Sequence, residues 1–253
     1  MCLILLSYKS HPSYKLIIGA NRDEFYNRPS ESAHFWEEFP PMLAGRDSTA
    51  GGTWLGITTA GRLGMITNYR EIKSLMSDAP SRGHLLVDYL STDIGAEDYL
   101  NNLSSAAHLY NGFNLLLGDV DNLFHYSNFG TGITKINPGI HGLSNHLLNT
   151  PWFKVTKGKK RMEELKKKEL IMPEDIFALL RNEELSPDDQ LPETGLDYNR
   201  EKAISSMFIN TPDYGTKCST AITVDYKGNV VFSEKVFMEP EGSSTERNFS
   251  FVV

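Results

Sequence analysis

Cysteine is scarce in this sequence: Cys2 and Cys218 are the only two in 253 residues. That count excludes a disulfide framework and suits a reducing compartment, where a thiol stays free. Long apolar runs are also missing. The longest fall far below the roughly 18 residues of a membrane-spanning helix, so no membrane insertion is expected. No basic n-region and apolar stretch precede Cys2, and the expected location is cytoplasmic. Basic charge is in deficit, with 25 Lys and Arg against 32 Asp and Glu for a net charge of −7. A nucleic-acid partner would need the opposite balance. The basic run from Lys154 to Lys168 reads as a solvated helix face. Walker and GxGxxG loops are absent, the seven histidines show no metal-ligand spacing, and no Cys-x-x-Cys-His haem attachment occurs. No cofactor and no metal are expected.

What remains is an ordinary globular composition, 40% hydrophobic and 23% charged, with one unusual feature at its start. Met1 precedes a small side chain, a context in which it is readily removed. Cys2 would then carry a thiol and a free α-amine on the same carbon. The thiol has an ordinary pKa of about 8.5 and the amine about 7.7 to 8.0, so one residue supplies a nucleophile and its base. Cys2 reads equally as the first apolar residue of a buried strand, since free cysteine packs as a small hydrophobe.

Short turns between apolar runs imply antiparallel hairpins. Cys2–Tyr8 and Lys15–Asn21 form the first, Trp54–Thr58 and Arg62–Asn68 the second. Phe113–Gly118 with Leu123–Ser127 and Ala221–Asp225 with Asn229–Phe237 complete the set. Helical patterns fall between them: a helix capped by Ser81 and running to Ser91, then Ala96–Leu109, Trp152–Lys168 and Pro173–Asn182, the last opened by proline. The polar stretch 183–195 reads as a loop. Strands and helices joined in this way indicate an α+β protein, read as one domain over residues 1–253.

The segment Asn21-Arg22-Asp23-Glu24, within GANRDEFYNRP, is the signature of the NRDE family. Further resemblance lies in Gly51-Gly-Thr-Trp-Leu-Gly-Ile57, in Ala60–Glu71 with its Asn68-Tyr-Arg-Glu71, in Gly142–Trp152 with Gly-Leu-Ser-Asn145, and in Tyr214–Thr220. The chain thus resembles the transport-and-Golgi-organisation-2-like proteins over nearly its whole length. Those proteins in turn resemble the N-terminal-nucleophile hydrolases, whose cysteine amidases cut penicillin V and conjugated bile acids. The resemblance implies a four-layer αββα sandwich of two antiparallel sheets. It also implies that Cys2 is the nucleophile, that Asp23 holds the α-amine, and that Asn68 and Asn145 build the oxyanion hole.

Residue chemistry agrees with these roles. Period-two alternation puts Asn21 and Asp23 on one face of a strand and Arg22 on the other. Amide N–H groups at Asn68 and Asn145 suit a developing oxyanion. Asp23 also suits a turn or an ion pair with Arg22 or Arg28, and each asparagine a strand-end turn. Two departures stand out. The amidases carry an arginine where this chain has Ala20; Arg22 is the nearest substitute, but on the opposite face. Lys217 takes the place of a late arginine, losing the planar fork. Arg46 and Trp54 line a pocket or a core, Arg70 ends a charge-rich strand, and Cys218 reads as an inert strand residue.

Together these readings describe an N-terminal-cysteine amidohydrolase acting on a linear non-peptide C–N bond in a small molecule with an acyl or other apolar part. The alternative is a non-catalytic carrier of the same fold for haem or acyl-CoA-type ligands. For haem, the chain offers His84, His108 and His146.

Overall fold

The structure, a computed structural model, describes residues 2–238 and 243–253, without the side chains of Cys2 and Met238. The chain divides into two compact units, 1–27 with 138–144 and 148–252, and 28–137 with 145–147 and 253.

The first unit holds a six-stranded antiparallel sheet. Its strands are β1 (Cys2–Tyr8), β2 (Tyr14–Phe25), β10 (Gly139–Leu143), β11 (Tyr214–Asp225), β12 (Asn229–Met238) and β13 (Ser243–Val252). Their order is β10-β1-β2-β11-β12-β13. β1 and β2 are the hairpin read from the sequence, but β2 runs on through the whole Asn-Arg-Asp-Glu segment to Phe25. Cys2 pairs with Arg22, Leu3 with Asn21, and Arg22 in turn with Cys218. Helices α3 (Phe153–Leu165) and α4 (Pro173–Leu180) pack on this sheet. Leu3, Leu5, Ile17, Val155, Met162, Ile176 and Leu180 form their shared core. Each such side chain contributes about 1.5–3 kcal/mol when fully buried. Gly158 permits the close approach of α3, because a Cβ there would lie 2.7 Å from the Leu5 side chain. A short helix, α5 (Tyr198–Ala203), follows.

The second unit holds a seven-stranded antiparallel sheet whose spatial order is its sequence order. It comprises β3 (Ser30–Phe35), β4 (Met42–Asp47), β5 (Leu55–Thr58), β6 (Arg62–Asn68), β7 (Phe113–Asp119), β8 (Leu123–Ser127) and β9 (Thr134–Lys135). Helices α1 (Gly83–Leu90) and α2 (Ala96–Ser104) cover it, burying Leu85, Leu86, Tyr89 and Leu100 with Phe113 and Leu115. Residue 82, not Ser81, stands at the start of α1, and no side chain caps it. The expected helix over 96–109 stops at Ser104 and resumes as a 3-10 turn at Ala107–Leu109. The stretch 183–195 is a loop containing one 3-10 turn at Asp188–Gln190.

Candidate functional site

Asp23 is the best-defined member of the predicted set. It lies near the end of β2, pairs with Thr216 across to β11, and is 1% exposed. Thr216 Oγ1 donates to Asp23 Oδ1 at 2.7 Å, and the Tyr214 hydroxyl donates to the Asp23 backbone carbonyl at 3.0 Å. Burial pushes the Asp23 carboxyl above the usual carboxylate range, and the Lys154 ammonium opposes that shift. A carboxyl buried so completely keeps its charge only with compensating partners, and the Lys154 ammonium and the Thr216 hydroxyl both act in that direction.

Asn21 shares the Asp23 face of β2, as alternation requires. Its amide is occupied by the fold: Nδ2 donates to the Met207 carbonyl at 2.8 Å, and Oδ1 accepts from Ser219 Oγ at 2.6 Å. Asn21 therefore ties β2 to the chain around Met207, and its amide serves as a strut beneath Asp23. Arg22 is buried on the opposite face, the face of Ala20. The expectation that Arg22 leaves the strand on the face opposite position 20 is thereby corrected: two residues apart on one strand, Ala20 and Arg22 share a face. Lys217 sits where the β2–β11 register shifts between Thr216 and Cys218, and its Nζ donates to the Tyr26 carbonyl at 3.1 Å. Such a bulge re-aims a side chain at the end of a ladder. Cys218 is buried and forms no disulfide among the described residues. The thiol of Cys2, the expected nucleophile, lies outside the described residues; the Cys2 backbone belongs to β1.

In the second unit the structure brings Asn68, Arg70 and Asn145 together. Asn145 Nδ2 donates to the Asn68 carbonyl at 3.0 Å, and its Oδ1 accepts from Arg70 Nη2 at 3.3 Å. The Arg70 backbone N–H donates to the Asn145 carbonyl at 2.8 Å. Asn145 is fully buried and Arg70 nearly so. With its oxygen turned toward a guanidinium, the Asn145 amide is fixed in an orientation that presents its NH₂ as donor. Beside it His146, one of the histidines named above, meets an aromatic pair that the sequence did not single out. Tyr69 stacks on Phe129 with centroids 4.5 Å apart, and its hydroxyl is 2.9 Å from His146 Nε2. Burial lowers the His146 pKa and raises that of Tyr69, so the pair is neutral at pH 7.

Arg46 and Trp54 have structural duties. The Arg46 guanidinium lies 4.4 Å from the Trp36 ring centroid and pairs with Glu38 at 2.7 Å. Trp54 packs against the helix-covered core and over Gly45, where a Cβ would come within 2.4 Å of its ring.

Lys154 is the residue that the sequence reading missed. It was placed with the solvated basic run, yet it is 3% exposed, and its Nζ donates to the Ile204 carbonyl at 2.9 Å. The signal was present in the spacing: Lys154, Gly158, Met162 and Leu165 form one helical stripe, and all four are buried.

Two antiparallel sheets with helices packed on them define an α+β protein with the fold of the N-terminal-nucleophile hydrolases. A solved Caenorhabditis elegans ortholog of N-acylethanolamine-hydrolyzing acid amidase is similar in fold, with a TM-score of 0.53 at 10% identity, covering 87% of this chain and 92% of that one. The chain belongs to the Transport and Golgi organisation 2 family, whose sequence model matches residues 1–239. It is 37% identical to the mouse homolog of that name over 98% of this chain and 97% of the mouse protein. The human homolog is likewise 37% identical, over 100% and 99%. The Drosophila melanogaster protein is 27% identical over 96% and 95%. Among the described residues no helix is long and apolar enough to cross a membrane.

Proposed function

We propose that this protein is an N-terminal-cysteine amidohydrolase that cleaves a linear, non-peptide C–N bond in a small molecule carrying an acyl or other apolar group. The register of the first hairpin carries this reading. Cys2 pairs with Arg22, so Asp23 stands one residue step beyond Cys2, about 3.4 Å along the strand and on the side of the Cys2 backbone nitrogen. Once Met1 is removed, that nitrogen is an α-amine directed toward the row of a buried, hydroxyl-oriented carboxylate.

In the proposed reaction Cys2 Sγ attacks the carbonyl carbon while the α-amine takes the thiol proton. The amine returns that proton to the leaving nitrogen as the C–N bond breaks and a thioester forms. Water, deprotonated by the same amine, then releases the acid and restores the thiol. Asp23 orients the amine, and the amides of Asn68 and Asn145 donate to the oxyanion, a contribution of about 3 kcal/mol per donor.

The test compares protein lacking Met1 with protein retaining it, on a panel of N-acyl amines that includes penicillin V. Turnover confined to the processed form is expected, because Met1 converts the amine into a non-basic amide nitrogen. Equal turnover in both forms would refute the mechanism. Absence of turnover in both, with retained binding of haem or acyl-CoA, would favour the carrier.

A further inference from the structure

One strip of backbone, residues 204–209, links Lys154, Asn21 and Thr216 around Asp23 in the unit of the six-stranded sheet. Lys154 Nζ donates to its first carbonyl, at Ile204. Asn21 Nδ2 donates to the carbonyl of Met207. At Ile209 the strip makes a two-way contact with β11: the Thr216 N–H donates to the Ile209 carbonyl at 2.8 Å, and the Ile209 N–H donates to Thr216 Oγ1 at 2.9 Å. That same Oγ1 donates its proton to Asp23. The helix α3 cation and the β2 carboxylate are thus fixed to one scaffold, and both are withdrawn from water.

Two further facts give this arrangement a direction. Buried lysines are costly when uncompensated, and here the stripe position is one where an apolar residue would pack without penalty. On β2, Arg22 leaves the strand on the face opposite Asp23. Among the influences that favour the ionised Asp23 carboxylate, the Lys154 ammonium comes first, ahead of the Thr216 hydrogen bond, and it acts against burial and against the neighbouring Glu24.

We infer that Lys154 is a positioning residue whose buried ammonium keeps Asp23 a carboxylate at neutral pH, so that Asp23 can hold the α-amine of Cys2. The role of Asp23 toward the amine rests on the function proposed above; the charge relation between Lys154 and Asp23 does not. Lys154 touches neither substrate nor thiol in this account, and acts through Asp23 alone.

The experiment follows the Asp23 side-chain carboxyl carbon by NMR against pH in the full chain, with its resonance identified by its loss in Asp23→Asn. Lys154→Gln keeps a hydrogen-bond donor for Ile204 and removes the charge. It should raise the proton affinity of Asp23 at least about tenfold, moving the midpoint up by about one pH unit. Lys154→Arg should titrate with the wild type. Lys154→Met supplies the same comparison if the glutamine variant does not fold. Coincident titration of wild type and the uncharged variant would overturn the inference, as would an Asp23 already protonated at pH 7 in the wild type. Turnover separates the two levels. A shifted Asp23 in a protein with no amide hydrolysis sinks the enzymatic reading alone. Hydrolysis with an unshifted Asp23 sinks the role of Lys154 alone. If both stand, the turnover of Lys154→Gln should fall at pH 7 and recover as pH rises, a profile that loss of packing does not produce.

Discussion

The two units treat buried polarity in opposite ways. Around the six-stranded sheet, Arg22, Asp23, Lys154, Glu201 and Glu234 are all buried, five ionisable side chains with almost no contact with water. Around the seven-stranded sheet, the buried polar groups are mainly neutral: Thr67, Asn114, His125 and Asn145, with Arg70 the charged exception among the described residues. Neutral amides and hydroxyls are satisfied by hydrogen bonds at modest cost, whereas a buried charge is kept only with compensating partners. Asn114 illustrates the first strategy. Its Nδ2 donates to Thr67 Oγ1 and to the His146 carbonyl, and its Oδ1 lies 3.2 Å from His125 Nε2. Asp23 illustrates the second. The difference teaches where a chemical role for ionisation belongs: the first unit has accepted the cost of buried charge beside its N-terminal strand, while the second has built a rigid neutral frame.

One test of this contrast is acid titration of the neutral frame. Burial lowers the His125 pKa to about 4 from an ordinary 6.5, so the folded protein binds fewer protons there than the unfolded chain between those values. Stability from this group is complete above pH 6.5 and is lost as pH falls through that window, by about 3 kcal/mol in the limit. Urea denaturation at pH 7 and pH 4.5 should show the loss in wild type and a reduced loss in His125→Gln, which does not titrate. An identical pH dependence in the two proteins would mean that His125 is not held neutral by the fold.

An effect of opposite sign is expected at Asp23. Its folded-state pKa is raised, chiefly by burial, so its contribution to stability is present at low pH and declines as pH rises through the folded value. Asp23→Asn should therefore unfold at a higher temperature than wild type at pH 7 and show no such advantage in acid, while turnover falls. A mutant that gains stability and loses activity marks a charge retained for function. Loss of stability at pH 7 would instead make Asp23 a structural ion.

Hairpins were legible in the sequence because apolar runs of strand length flank short turns at His11–Tyr14, Thr59–Gly61 and Tyr226–Gly228. β3 and β13 were not, since an exposed strand such as Ser243–Val252 carries polar residues on both faces and leaves no alternation to read. β10 has Ile140 as its one β-branched residue, and packing holds one of its positions to glycine: a Cβ at Gly142 would come within 2.8 Å of Val155 on α3. Of the site, alternation along β2 gave the shared face of Asn21 and Asp23, and motif likeness gave Asn145. Which of those amides the fold would consume depends on partners almost 200 residues away, as with Ser219 and Asn21, and no local pattern encodes that. Lys154 was hidden by its neighbours, because five further basic residues by Lys166 disguise a single inward position on the stripe.

Acylation of Cys2 is the central claim, and intact-mass measurement during turnover tests it most directly. Processed protein mixed with a reactive acyl donor such as a p-nitrophenyl ester, then quenched in acid, should gain the mass of one acyl group. Fragmentation should place that group on Cys2, with Cys218 unmodified, and Cys2→Ala should gain nothing. An acyl group on Cys218, or equal labelling of the Cys2→Ala protein, would contradict the account.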